Sequence, residues 1–77
     1  MAELTLYSAP GCHLCEQALA LIEAELGVHE LRVVDIEGDL ALTYRYGVRI
    51  PVLRRADSGA ELSWPFDRDA LREWLVA

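Results

Sequence analysis

The sequence predicts an α/β fold, a four-stranded mixed sheet flanked by helices in the order β-α-β-α-β-β-α. Three observations carry this expectation: a strand-helix-strand run in the front half, a strand-turn-strand run closed by a helix in the back half, and a length of 77 residues. That length suits a single domain over 1–77, because two domains would each be too small to hold a core. At this size folding buries only about 60% of the surface of the unfolded chain. The fold therefore depends on a well-filled core, and a hydrophobic content of 53% can supply one.

Leu4 and Leu6 alternate with Thr5 and Tyr7 at strand period, and Ser8-Ala9-Pro10-Gly11 stops the run just before Cys12. From Cys12 the spacing becomes helical, with Cys15, Ala18, Leu19, Ile22 and Leu26 on one face and Gly27 as the stop. Leu31 to Ile36 form a second strand, broken by Glu37-Gly38-Asp39 ahead of a short helical patch carrying Leu40, Leu42, Tyr44 and Tyr46. Strand, helix and strand make a βαβ unit, whose two strands should be parallel with a right-handed crossover. Gly47 to Pro51 leads into a third strand, Val52–Arg55, followed by the hairpin signal Asp57-Ser58-Gly59 and a fourth strand from Ala60 to Trp64. Asp67 is placed to cap the last helix, Phe66 to pack on Leu71, and Leu71, Trp74 and Leu75 to give that helix its inner face.

The net charge is −6, and all seven positive residues are arginines. Such a chain repels phosphate backbones and anionic lipid, so neither nucleic acid nor a membrane is an expected partner. No stretch approaches the roughly 20 apolar residues that span a bilayer. The first residues lack the basic start of a signal peptide. The expected setting is the reducing cytoplasm and the expected state a monomer.

There a close cysteine pair more often does redox chemistry or binds metal than staples a fold. Cys12 and Cys15 would close too short a loop to stabilise much by a bridge. Their position is the informative feature, for Cys12 falls at the junction of the first strand and first helix. Unpaired N–H groups and the helix dipole favour an anion there, so the thiolate, the reactive form, is favoured at Cys12. Cys15, one turn on along the apolar face, is expected to stay a thiol until it resolves a mixed disulfide formed by Cys12. His13 sits between them, as a tuner of the pair or as an exposed residue of the first turn. Zinc would need a second ligand pair, which a lone His29 does not provide, so no metal site is expected.

Leu6-Tyr7-Ser8-Ala9-Pro10-Gly11-Cys12-His13-Leu14-Cys15, followed downstream by Tyr46-Gly47-Val48-Arg49-Ile50-Pro51-Val52-Leu53, resembles the glutaredoxins of the thioredoxin-fold superfamily. The likeness is strongest to small bacterial glutaredoxin-like proteins with a Cys-His-Leu-Cys site. It implies a thioredoxin-like fold, a cis Ile50-Pro51 bond facing the cysteines, and an Ile50 backbone that offers its N–H and C=O to an extended substrate. It also implies a thiol–disulfide oxidoreductase that needs no metal or organic cofactor. The implied partners are a disulfide-containing protein or a glutathione mixed disulfide, with glutathione a possible co-substrate, and a thiol reductant.

The departures from the pattern are specific. Gly11 and Leu6 stand where thioredoxins have a tryptophan and a buried aspartate. Ala9, Arg49 and Ser63-Trp64-Pro65 replace the lysine, threonine and glycines with which glutaredoxins commonly hold glutathione. Asp67 remains as a ligand contact or a helix cap, Arg49 as a carboxylate clamp or a solvated loop residue, and Trp64 as a groove wall or core packing. Two other roles stay open: sharing an iron–sulfur cluster through Cys12, and binding partners at the Ile50-Pro51 groove without turnover.

Overall fold

The computed structural model describes residues 3–26 and 30–76, except the side chain of Leu26. The helix stop at Gly27, the apolar role of Leu26 and the lone His29 thus lie outside the described residues. Strand β1 (Leu4–Ser8) is followed by α1 (His13–Leu26), β2 (Leu31–Asp35), α2 (Leu40–Tyr46), β3 (Val52–Arg55), β4 (Glu61–Ser63) and α3 (Arg68–Val76), the order read from the sequence.

The sheet order is β2-β1-β3-β4. β1 and β2 are parallel, in register from Leu4 opposite Leu31 to Ser8 opposite Asp35, so the βαβ unit is present. β3 runs antiparallel to β1, with Leu6 opposite Leu53 and Tyr7 opposite Val52, and β4 runs antiparallel to β3. This is the four-stranded mixed sheet of a thioredoxin-like fold.

Strand alternation divides the core into two layers. Leu4, Leu6 and Leu53 point to one face, where Ala18 and Ile22 of α1 and Leu71 of α3 pack with Phe66. Tyr7 and Val52 point to the other, against Ile36 and the Tyr46 side chain of α2. Phe66 and Leu71 share the first layer, as a hydrophobic staple requires.

Local chemistry sets the element ends. Asp39 caps α2 by accepting from the Leu42 N–H at 3.1 Å, and Asp67 caps α3 by accepting from the Ala70 N–H at 2.8 Å. Arg55 reaches from β3 to donate to the Trp74 and Leu75 carbonyls at 2.9 and 3.2 Å, satisfying the far end of α3. The Asp57-Ser58-Gly59 hairpin forms, with Gly59 at φ +73°. β4 is shorter than the expected Ala60–Trp64 run, for it stops at Ser63 before Pro65, which has no N–H to give a ladder.

Burial along α1 and α2 is uneven. Leu40 and Tyr44 are almost fully exposed, and of the α2 patch only Tyr46 is buried, with Leu42 half-buried. Glu25 of α1 is enclosed: its side chain is 10% exposed and accepts from Arg72 of α3 at 2.6 Å, joining the two helices on that face.

Candidate active site at the cysteine pair

The register gathers chain segments at one end of the sheet. Tyr7 lies opposite Val52 and Val52 opposite Ser63, so the end of β1, the start of β3 and the end of β4 share that end. From it leave the Ala9–Gly11 turn into α1, the Ile50-Pro51 step into β3 and the Trp64-Pro65 step toward α3. Ile50-Pro51 is cis, as the resemblance implies; Trp64-Pro65 is cis as well, which the sequence reading does not anticipate. The Trp64 N–H donates to the Pro51 carbonyl at 3.2 Å and ties the two proline segments together.

The turn before the cysteines is closed by the Cys12 N–H on the Ala9 carbonyl at 3.3 Å, with Gly11 at φ +72°. That φ is left-handed, and glycine adopts it without the clash of a Cβ. The chain thereby enters α1 with Cys12 in the capping position. Its carbonyl accepts from the Glu16 N–H at 3.1 Å, and its Sγ accepts from the Cys15 N–H at 3.2 Å. The sulfur thus occupies the place of a capping side-chain oxygen.

Both cysteines are free; Cys12 is partly exposed and Cys15 buried. Burial first, and then the hydrogen bond with the Cys12 sulfur, push the Cys15 thiol up from 9.0 to about 11. The pair is asymmetric, Cys12 partly exposed at a helix N-terminus and Cys15 a buried thiol one turn on.

The remaining candidates separate by surroundings. His13 is 89% exposed, with Nδ1 3.7 Å from the Glu16 carboxylate, so it lies on the surface of the first turn. Pro51 is fully buried and Ile50 half-buried. The Ile50 N–H donates to the Tyr46 carbonyl at 3.0 Å, so the donor expected to meet an extended substrate is engaged by the end of α2. Arg49 donates to Glu61 Oε1 at 3.0 Å, and this internal carboxylate occupies the guanidinium pictured as a clamp. Trp64 packs edge-on against Phe66, centroids 5.0 Å apart, at the margin of the core. The carboxylate of Asp67 serves as the cap of α3. Among the described residues no cluster of three or more His, Cys, Asp or Glu is placed to hold a metal ion.

Sequence reasoning missed the group that holds the Pro51 loop. Tyr46 stacks on Tyr7 with centroids 4.2 Å apart, and its hydroxyl donates to Glu61 Oε2 at 2.6 Å. Burial, with Glu61 beside it, pushes the phenol up to about 12. Hydrogen bonds from Tyr46 and Arg49 hold the Glu61 carboxyl below its usual range despite burial. The Tyr46 carbonyl accepts from both Arg49 and Ile50, so one residue fixes the loop by backbone and side chain. The available signal was Tyr46 directly before the Gly47–Pro51 segment.

The chain thus carries a dithiol at the N-terminus of the helix after β1, with a cis-proline at the same sheet end, on a thioredoxin-like fold. Residues 3–76 match the Glutaredoxin-like domain (DUF836) family, and the chain belongs to it. Among solved structures, the crystal structure of the target protein XcR50 from X. campestris is 46% identical, with 95% of each chain covered and a TM-score of 0.86. The solution structure of XcR50 is 47% identical over 99% of this chain and 94% of that one, TM-score 0.83. Protein Ne2328 from Nitrosomonas europaea, in solution, is 33% identical over 95% of this chain and 89% of that one, TM-score 0.78. No curated protein matches. Among the described residues no helix is long and apolar enough to cross a membrane.

Proposed function

We propose that this protein is a thiol–disulfide oxidoreductase acting through Cys12 and Cys15. The observation that carries the reading is the asymmetry of the pair: a partly exposed Cys12 whose sulfur accepts an N–H bond at the start of α1, and a Cys15 thiol kept protonated by burial. The Cys12 thiolate attacks one sulfur of a substrate disulfide; the S–S bond breaks, and the other sulfur leaves as a thiolate that takes up a proton. Cys15, losing its proton to the departing group or to solvent, attacks the Cys12 sulfur and expels the second substrate thiol. Two electrons have then passed to the substrate, and the chain holds a Cys12–Cys15 disulfide. An external thiol reverses the oxidation. The attacking sulfurs and the thiol reductant account for every electron, so the scheme draws on no metal or organic cofactor.

The partners in this reading are a disulfide-bearing protein or a glutathione mixed disulfide, in a reducing compartment such as the cytoplasm. The test is stoichiometric. The prereduced protein should reduce one equivalent of a small disulfide per chain and gain an internal disulfide, while Cys12→Ser reduces none. Turnover by Cys12→Ser at the wild-type rate would refute the assignment.

A further inference from the structure

A cleft of about 170 Å³ opens beside the cysteine pair, between the first turns of α1 and the β2 edge of the sheet. Cys12 and Cys15 line it, together with Leu6, Pro10, Leu19 and Val33. It lies on the face of the sheet covered by α1 and α3, whereas the Ile50 and Tyr46 side chains pack in the opposite layer. A wider depression of about 520 Å³ is at the far end of the strands, lined by Glu3, Thr5, Glu30 and Arg32, and holds neither cysteine.

We propose that the cleft receives one apolar side chain of the substrate, so that the preferred substrate is a polypeptide disulfide with an apolar residue next to its bonded cysteine, over oxidised glutathione. The proposal rests on the oxidoreductase reading and names the substrate class of that site.

Three observations carry it. The first is size: an apolar cavity of about 150 Å³ takes a benzene-sized group, whereas sites that bury a whole drug-sized ligand run to roughly 300–1,000 Å³. The cleft therefore fits a single leucine- or phenylalanine-sized group and not an entire tripeptide. The second is unspent apolar surface. Val33 is 48% exposed on β2, an edge strand with β1 as its one neighbour in the sheet, and it stands opposite buried Leu6. Covering it removes apolar area from water in the cleft that Cys12 also lines. The third is charge. Glu16 also lines the cleft, with its side chain 74% exposed, in a chain of net charge −6. Like charge disfavours the carboxylates of glutathione there and leaves a neutral side chain unaffected.

The geometry makes the subsite contiguous with the chemistry. Cys12 is itself a lining residue, so a substrate sulfur bonded to it stands at the cleft that Leu19 and Val33 also line.

The experiment compares single-turnover reduction by the prereduced protein of two short peptide disulfides, identical except for Leu or Ser beside the cysteine, and of oxidised glutathione. The expected result is that the Leu peptide reacts roughly tenfold faster than the Ser peptide and than glutathione, the effect of partial burial of one leucine side chain. Val33→Asp should bring the Leu-to-Ser ratio close to one. Equal rates for the two peptides, or a faster reaction with glutathione, overturn the subsite and leave the dithiol chemistry standing. A ratio that persists in Val33→Asp places the apolar preference elsewhere and overturns it too. Reduction of none of the three overturns the oxidoreductase reading together with the subsite.

Discussion

At the scale of single residues, Cys12 and Cys15 differ in surroundings more than three positions of sequence imply. The Cys15 thiol, raised to about 11 by burial and by its contact with Cys12, has a thiolate fraction roughly 100-fold below that of an unperturbed thiol at any pH under about 9. Iodoacetamide at pH 8 should therefore label one cysteine per folded chain, and peptide mapping should place it at Cys12. Modification of Cys15 at a comparable rate without unfolding would contradict the asymmetry. The cysteine pair itself was legible because a strand ending in Ser8-Ala9-Pro10-Gly11 and a helical spacing from Cys15 are both local signals. The role of Arg49 was not, since the sequence offered a carboxylate clamp or a solvated loop residue and no internal partner, and for Asp67 the helix cap stood beside a ligand contact. The structure supplies the partners, Glu61 for the guanidinium and the Ala70 N–H for the carboxylate.

At the scale of elements, the register of β1 with β3 and of β3 with β4 brings the two proline segments to the end where α1 begins. Tyr46 and Glu61, fifteen residues apart, then lock α2 to β4 across the Pro51 loop. Tyr46→Phe keeps the stacked ring and removes the hydroxyl, leaving Glu61 Oε2, on a side chain only 18% exposed, without that donor. A loss of about 1.5–3 kcal/mol is expected, the range for a hydrogen bond to a charged group, measurable as a lower urea midpoint at unchanged slope. A change within about 0.5 kcal/mol, the scale of ordinary surface substitutions, would show that the bond does not hold the loop. Element order and most boundaries were readable from strand alternation, the Glu37-Gly38-Asp39 break, the Asp57-Ser58-Gly59 turn and the Asp67 cap. The Tyr46–Glu61 bond, the Glu25–Arg72 pair and the end of β4 were not, because each depends on which residues meet after the strands have paired.

At the scale of the whole molecule, the radius of gyration of 11.7 Å is close to the roughly 11.5 Å expected of a compact chain of this length. The two layers share one sheet, so local protonation events bear on global stability. Folded Cys15 keeps its proton to about pH 11, where the unfolded thiol releases it near 9.0; folded Tyr46 keeps its proton to about 12, where the unfolded phenol releases it near 10.0. Over these windows the folded state binds more protons than the unfolded state, and stability falls as pH rises. Their contribution is complete below pH 9 and is lost progressively toward pH 12. Denaturation midpoints of the reduced protein should begin to fall near pH 9, and Cys15→Ala should delay the onset toward pH 10. The same onset in wild type and variant would mean that the buried thiol is not the group responsible.

Whether Cys12 attacks and Cys15 resolves is read out by intact-mass measurement of the Cys15→Ser protein after exposure to a peptide disulfide. One covalent adduct per chain is expected, mapped to Cys12, stable until dithiothreitol is added, and absent when Cys12→Ser is combined with Cys15→Ser. An adduct that survives the loss of Cys12, or a Cys15→Ser protein that forms no adduct while the wild type still reduces the peptide, would contradict those roles.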